Sequence, residues 1–117
     1  FMIGFASSSD PNGRLRNKAL GGGAMFDISV YAIEITSYLI GKPILSFNGS
    51  VLKDENGVDM VDVITLCFEG CIASLQSTIL TNVEQSLQIC GTKGRIKIPD
   101  PHYSERCMRF DANGLAE

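Results

Sequence analysis

The sequence predicts an α+β domain in which one long helix packs on an open, mainly antiparallel sheet of about five to six strands. A single helical stretch occurs, near residues 24–40. From residue 44 onward, apolar side chains recur with a period of two, and short turns join the strand-like runs, which favours antiparallel pairing. One helix against such a sheet is an α+β layer arrangement. With 117 residues, a single domain at 1–117 is expected.

Composition is typical of a globular domain and argues against nucleic-acid binding. Apolar residues make up 44% and charged residues 20% of the chain, and the formal net charge is -3. Nucleic-acid binding needs a clustered basic surface, whereas the basic cluster here is three loop residues, Arg14, Arg16 and Lys18. No signal peptide is visible, and Asp27 and Glu34 interrupt the best candidate for a membrane span. We therefore expect no nucleic acid, no membrane and a cytoplasmic protein.

The cysteines and the single histidine do not form a metal-binding pattern. Cys67, Cys71, Cys90 and Cys107 contain no CxxC pair, and His102 has no partner at zinc-site spacing. Cys67 and Cys90 lie in strand-like runs, where a free thiol behaves as a small apolar side chain. We expect no bound metal and reduced cysteines.

The first part of the chain is predicted to be a short strand followed by a long loop. Residues 1–6 (FMIGFA) are predicted as the strand, and 7–23 as a polar loop with a turn signal in DPNG at 10–13. A loop of this length in a compact domain is usually functional or poorly ordered. The chain begins with Phe1 rather than Met, which suggests a fragment or a processed chain.

The helix predicted at 24–40 carries two stripes of side chains. The first is apolar, repeats at i, i+4, i+7 and i+11, and is expected to pack on the sheet: Ile28, Ala32, Ile35 and Leu39. The second has the same spacing on a neighbouring face and is expected to line an edge or a cleft: Asp27, Tyr31, Glu34 and Tyr38. Gly41 and Pro43 follow the last turn, as is typical of a helix C-terminus.

Five strands are predicted after the helix, at 44–52, 58–68, 71–80, 83–90 and 95–99, with 106–111 as a candidate last strand. One helix cannot cover a sheet of this width. The face left open is semi-polar: Val61, Val63, Thr65, Ile72, Ser74, Gln76, Thr78, Ser86 and Gln88. Such a face is either solvated, as antiparallel sheets allow, or the interface of a homodimer.

The residues with candidate chemistry lie at the start of the helix. The glycines at 21–23 let backbone approach a ligand where a helix N-terminus favours an anion, although a tight loop explains them equally well. They do not form a GxGxxG dinucleotide fingerprint. Asp27 lies in the first turn, where the helix dipole stabilises a carboxylate, and Tyr31 lies one turn later on the same side. A carboxylate beside a phenol can orient a substrate hydroxyl and move a proton.

Taken together, these segments resemble the Gfo/Idh/MocA oxidoreductase family. LGGGAMFDISVYAIEITSYLIGKP at 20–43 resembles the GGGxxxDxxxY/H segment of that family. CFEGCIASLQST and QSLQICGTKGRIKIPDP resemble its later strands, including its GTKG turn, so the resemblance covers essentially the whole chain. It is greatest to the dihydrodiol and D-xylose dehydrogenase group, because of NGRLRNKALGGG and of Tyr31 where many members have His.

The resemblance implies an NAD(P)-dependent oxidoreductase that acts on a sugar or diol. Full members join a Rossmann domain to a C-terminal α+β domain, and the lysine of a Glu-Lys-Pro motif works with an Asp and a Tyr or His of the long helix. By this match Tyr31 hydrogen-bonds the reacting oxygen and shares in proton transfer, and Asp27 orients the substrate and that lysine, while NAD or NADP carries the hydride. These 117 residues contain neither the Rossmann domain nor Glu-Lys-Pro. The chain is therefore expected to be the central part of a substrate and dimerisation domain, inactive alone.

Weaker candidates for substrate binding are Arg16, Asn17, Gly22, Gly23 and His102. Arg16 and Asn17, with Arg14, could meet a cofactor phosphate or the substrate across the domain junction, although a solvated loop explains them as well. His102 and the neighbouring Tyr103 either edge the pocket or lie in a plain surface loop. Two other functions stay open: a non-catalytic ligand-sensing regulator, and an assembly module that dimerises through its sheet.

Overall fold

The fold is seen in a computed structural model that describes residues 1–4, 10, 12–114 and 116. The residues outside this part are 5–6 of the predicted first strand, 7–9 and Pro11 of the predicted loop, and two residues near the C-terminus. In the described part, one long helix packs on one face of a seven-stranded sheet that is not closed. The predicted α+β class is thereby confirmed.

The seven strands are β1 (Met2–Gly4), β2 (Ser46–Lys53), β3 (Asp59–Phe68), β4 (Cys71–Thr78), β5 (Ser86–Gly91), β6 (Gly94–Pro99) and β7 (Met108–Asp111). Their order across the sheet is β2-β3-β4-β1-β5-β6-β7. The four hairpin pairs β2–β3, β3–β4, β5–β6 and β6–β7 are antiparallel, as the short connections predict. Each run predicted from residue 44 onward corresponds to one strand, including the candidate at 106–111, with ends that differ by up to three residues.

The first strand, β1, makes the sheet depart from a purely antiparallel arrangement. Met2 lies opposite Gln76 in a parallel pairing with β4, and opposite Ser86 in an antiparallel pairing with β5. The sheet is therefore mixed, and it has seven strands rather than five to six. Local periodicity could not show this, because β1 is separated from its partners by the loop and the helix and pairs with them only in the folded chain.

The helical segment starts with a π turn, Met25–Ser29, and continues into α1 (Val30–Ile40). It ends as predicted, since Gly41 adopts φ +63 and donates its amide to the Ser37 carbonyl at 2.9 Å. Arg14–Arg16 and Lys18–Leu20 form two short 3₁₀ turns in the preceding loop. The prediction of one helix near 24–40 is thus confirmed, with a wider first turn.

The face that α1 turns toward the sheet lies about one residue later than predicted. Ile28 and Ala32 are buried as expected, but Ile35 is only partly buried and Leu39 is exposed. The stripe that packs on the core has the expected spacing and starts one position later: Ser29, Ile33, Thr36 and Ile40. A count of apolar residues missed this stripe, because Ser29 is polar and becomes a core residue only by hydrogen bonding to Asp62 of β3.

The core lies between the helical segment and the centre of the sheet. Its buried apolar residues are Ile3, Ala24, Ile28, Ala32, Val58, Met60, Ile64, Leu66, Phe68, Leu75 and Ile79. Alternate residues of β3 contribute to it, which is the period of two expected of a strand buried on one face. On the opposite face, Val63 lies beside Gln76 and Thr65 beside Ser74, as in the predicted semi-polar surface, whereas Thr78 of that predicted surface is buried.

The stretch Lys18–Ile40 is long enough and, with a mean hydropathy of 1.2, apolar enough to cross a membrane. In the structure it is not one continuous α-helix, because a 3₁₀ turn, the glycines and the π turn precede α1. Ala24, Ile28 and Ala32 from this stretch belong to the core above the sheet. Packing in the domain therefore accounts for part of its apolar character, whereas other apolar side chains of the stretch are exposed: Leu20, Phe26, Val30 and Leu39.

Leu75→Ala is expected to destabilise the domain by about 2–5 kcal/mol, because Leu75 is almost fully buried in β4 and its truncation leaves a cavity. Ile72 lies on the same strand but is 72% exposed, so Ile72→Ala should change stability by roughly 0.5 kcal/mol or less. Urea unfolding followed by circular dichroism measures both. Equal losses for the two variants would contradict this description of the core.

Candidate functional site

Asp27 and Tyr31 line the same cleft, of about 280 Å³, beside the start of the helix. They are four residues apart and lie on one side of the helical segment, as their spacing predicts. The other lining residues come from the helix, β1, the connection before β5 and the loop after β6: Ile28, Ile3, Gln85, His102 and Tyr103. The fold therefore brings three of the predicted site residues together, namely Asp27, Tyr31 and His102.

The His102 ring is the aromatic neighbour of Tyr31. The two ring centroids are 5.8 Å apart at an interplanar angle of 82°, an edge-to-face contact. The backbone of the same loop is held in place, because the Asp100 amide donates to the Gln85 carbonyl and the Tyr103 amide donates to the Asp100 carbonyl. Tyr31 lines the cleft and keeps 49% of its surface exposed, so solvent or a ligand can reach its side chain.

Arg14 is the charged partner of Asp27. Its guanidinium forms an ion pair with the Asp27 carboxylate, whose side chain is 19% exposed. The Asp27 amide donates to the Gly23 carbonyl at 3.1 Å, so the backbone there is also held. A carboxylate has about four lone-pair sites, and one guanidinium leaves some of them able to accept a substrate hydroxyl. Arg14 was grouped with the solvated basic cluster in the sequence, and its role as the partner of Asp27 was missed.

Gly22 and Gly23 are buried against the chain itself and do not line the cleft. A Cβ on Gly22 would lie 2.5 Å from the Arg14 carbonyl oxygen, and a Cβ on Gly23 would collide with the Asp59 carboxylate. Gly23 also adopts φ +114, which favours glycine. Close packing thus accounts for both glycines, and their contribution to substrate binding stays a prediction.

Arg16 and Asn17 lie in a different place from Asp27. They line a separate cleft of about 460 Å³, which has mostly polar walls. Arg16 Nη2 is 3.2 Å from Asp54 Oδ2, and the Asn17 side chain accepts a hydrogen bond from the Ala19 amide. The structure therefore does not bring these two residues to the cleft of Asp27 and Tyr31.

Two acids of β3 lie directly under the start of the helix. Asp59 Oδ2 accepts a hydrogen bond from the Met25 amide at 2.6 Å, and Asp62 Oδ2 accepts one from the Ser29 hydroxyl at 2.7 Å. Asp62 is fully buried, and this burial raises the pKa of its carboxyl group. Neither acid was singled out in the sequence. For Asp62 the signal was an aspartate inside a strand, at a position that alternation assigns to the core face, whereas alternation assigns Asp59 to the opposite face.

Two of the three glycines before the helix are closed to a dinucleotide. Gly22 packs against the Arg14 and Leu15 backbone and Gly23 against the Asp59 carboxylate, which leaves little room for a pyrophosphate against these two residues. Among the residues that the structure describes, no group of three His, Cys, Asp or Glu side chains could hold a metal ion. The polar side chains that line the cleft are therefore two phenols, a carboxylate, an imidazole and an amide.

Asp54→Asn is expected to lower stability near neutral pH and to have less effect in acid. The Val58 amide, then the Asn56 amide and Arg16, hold the pKa of Asp54 below its ordinary value. The stabilisation is complete above the ordinary aspartate pKa of about 4 and is lost as pH falls through the lower folded pKa. Urea unfolding over a pH series measures it, with exposed Glu55→Gln as the control. A difference from the unchanged chain that is the same at every pH would refute this.

Comparisons with known proteins agree with the fold and the helix segment. The sequence profile described as the GFO/IDH/MocA C-terminal domain matches residues 2–97. A trans-1,2-dihydrobenzene-1,2-diol dehydrogenase of Xenopus tropicalis is 37% identical over 93 residues, which cover 78% of this chain and 28% of that protein. A dTDP-3,4-didehydro-2,6-dideoxy-alpha-D-glucose 3-reductase of Actinomadura kijaniata is 30% identical over 100 residues, covering 82% of this chain and 30% of that protein.

A solved structure has the same fold. The aldose-aldose oxidoreductase from Caulobacter crescentus, crystallised with glycerol, superposes with a TM-score of 0.83 at 24% identity, covering 99% of this chain and 36% of that one. The chain spans about three tenths of the length of the curated relatives described above. Because the family profile matches the whole helix and the strands from β1 to β5, this chain belongs to the GFO/IDH/MocA oxidoreductase family, of which it carries C-terminal domain sequence.

Proposed function

We propose that this chain is the substrate-binding and oligomerisation part of an NAD(P)-dependent oxidoreductase that acts on a hydroxyl or carbonyl group of a sugar or diol. The observation that carries the proposal is the shared cleft of Asp27, Tyr31 and His102. Membership of this family supports an oxidoreductase activity of the whole protein. The names of its relatives, a diol dehydrogenase and a dTDP-sugar 3-reductase, support a small hydroxylated substrate.

The cleft offers two kinds of contact to such a substrate. Its volume of about 280 Å³ is near the lower end of ligand sites, roughly 300–1,000 Å³, and suits a small molecule. Ile3, Ile28 and the ring of Tyr103 present apolar surface to the carbon face of a ring. Asp27 and Tyr31 present oxygen atoms to its hydroxyl groups. Small ligands are usually bound by this combination of apolar walls and few polar groups.

Tyr31 and Asp27 have different roles in this proposal. The Tyr31 hydroxyl can donate a hydrogen bond to a substrate carbonyl or accept one from an alcohol, and so can pass a proton to or from the reacting oxygen. Asp27, held by Arg14, accepts a hydrogen bond from a substrate hydroxyl and fixes its direction. His102 packs against Tyr31 and limits the orientations of the phenol ring.

NAD or NADP is proposed to bind to a Rossmann domain outside these residues, because Gly22 and Gly23 here are packed against their own chain and the glycines do not form a GxGxxG fingerprint. The isolated chain is therefore expected to bind substrate weakly and not to turn it over. We also propose a homodimer or larger assembly through the open sheet face, where Val63 and Ile72 are exposed, and a cytoplasmic location. The alternatives, a ligand sensor or a pure assembly module, do not need both Asp27 and Tyr31.

Tyr31→Phe and Asp27→Asn are expected to reduce kcat of the full-length enzyme by about 100-fold or more, the usual contribution of general acid–base catalysis. The assay follows NAD(P)H formation with trans-1,2-dihydrobenzene-1,2-diol and with D-xylose. Tyr38→Phe is the matched control, because Tyr38 lies on the same helix and is 84% exposed.

Each result of this assay has a definite meaning. Full activity of Tyr31→Phe would overturn the assigned proton transfer. A full-length protein that binds either compound without turnover would favour the ligand-sensing alternative. Turnover by the 117-residue chain alone would refute the assignment of the cofactor site to another domain.

A further inference from the structure

We propose that Asp59 and Asp62 of β3 are positioning residues, which hold the π turn at the start of the helix and thereby place Asp27 and Tyr31 in the cleft. The inference rests on the proposed function only in taking Asp27 and Tyr31 as the site residues. Asp59 and Asp62 do not line the cleft themselves, and their role would be indirect.

Asp59 holds the first residue of the π turn. Ala24 is the N-cap residue and supplies no side-chain hydrogen bond to the helix start. The acceptor instead comes from β3, because Asp59 Oδ2 lies 2.6 Å from the Met25 amide nitrogen. Gly23 packs so closely on the same carboxylate that a Cβ there would collide with it. A negative charge at this position also interacts favourably with the helix dipole.

Asp62 holds the last residue of the same turn. Its Oδ2 accepts the Ser29 hydroxyl at 2.7 Å, and both side chains are fully buried. In the interior a hydrogen bond to a carboxyl group is costly to lose, because the group left behind has no water to replace its partner. The π turn Met25–Ser29 is thus tied to β3 at both ends.

A β-bulge explains how both acids reach the helix. In a regular strand, residues 59 and 62 would point to opposite faces of the sheet. The register between β2 and β3 shifts at Leu52 and Lys53, which lie opposite Val61 and Asp59, so Met60 is the extra residue. Bulges redirect side chains in this way and are frequent beside functional sites. This one turns Asp59 toward the helix, on the side where Asp62 already lies.

The consequence for the site follows from the position of Asp27, midway between the two tied residues. Fixing Met25 and Ser29 fixes the direction of the Asp27 carboxylate toward Arg14 and the cleft. Tyr31 follows Ser29 by two residues and meets the His102 ring only if the helix keeps its rotation. π turns often occur at functional sites, since they alter which residues share a face.

The test compares alanine and asparagine variants in the 117-residue chain by NMR. The readout is the cross-peak between the Tyr31 and His102 ring protons, together with the amide shifts of Asp27 and Tyr31. Asp59→Ala and Asp62→Ala remove the acceptor and are expected to abolish the cross-peak. Asp59→Asn and Asp62→Asn keep an acceptor oxygen and are expected to restore it. Glu55→Ala, at an exposed acid in the β2–β3 turn, is the control and should change neither readout.

A purely structural role would lower the melting temperature of the alanine variants without changing the ring contact. Should Asp62→Ala not fold, Ser29→Ala removes the same hydrogen bond by deleting one hydroxyl and must abolish the cross-peak. An unchanged cross-peak in the folded alanine variants, or its absence from the unchanged chain, overturns the inference. Neither result depends on turnover. Loss of the cross-peak together with a fully active Tyr31→Phe enzyme would keep the positioning role and overturn only the catalytic assignment.

Discussion

The pairing of β1 with two other strands is the constraint on which the rest of the structure depends. Three residues, Met2–Gly4, join the β2–β4 group to the β5–β7 group, which otherwise have no strand pairing with each other in the described part. The Phe1 carbonyl extends this link by accepting the Gln76 amide at 2.8 Å. Ile3 belongs both to the core below the helix and to the wall of the cleft. The His102 loop follows β6, and it lies beside the helix because β1 joins the β5–β7 group to the strands under the helix.

The start of the helix concentrates negative charge, and the fold compensates each acid differently. Asp27 has a guanidinium partner, Asp59 accepts a backbone amide, and Asp62 accepts a hydroxyl. Of the three acids, Asp62 is the one that burial destabilises in its charged form, because the buried carboxylate loses its hydration. The folded chain consequently binds a proton at Asp62 more tightly than the unfolded chain, so this group weakens folding as pH rises from the ordinary carboxyl pKa to its raised value. Such a cost is tolerable where the acid fixes a geometry that an apolar residue could not.

The cleft is shaped by elements that belong to different parts of the sheet. The helix supplies the carboxylate and the phenol, while the imidazole comes from the loop after β6. The residues that line this cleft are held by backbone hydrogen bonds and by the β3 acids, and they do not come from one continuous sequence motif. The cleft of Asp27 and Tyr31 differs in this respect from the cleft of Arg16 and Asn17. The cleft of Arg16 and Asn17 is bounded by loops, whereas the cleft of Asp27 and Tyr31 is bounded by the helix and the sheet.

The sequence by itself determined the local elements. The helix with its Gly41 stop, the hairpins, the semi-polar sheet face and the pairing of Asp27 with Tyr31 follow from periodicity and turn chemistry, which act between residues near in sequence. The family could be recognised from the same segment because its glycines, acid and phenol are contiguous. Only the tertiary structure decided the parallel pairing of β1 with β4, the buried face of the helix, the ion pair of Asp27 and the roles of Asp59 and Asp62. Those features depend on hydrogen bonds between residues far apart in the chain, such as Ser29 with Asp62, and on one bulge that reverses the alternation of a strand.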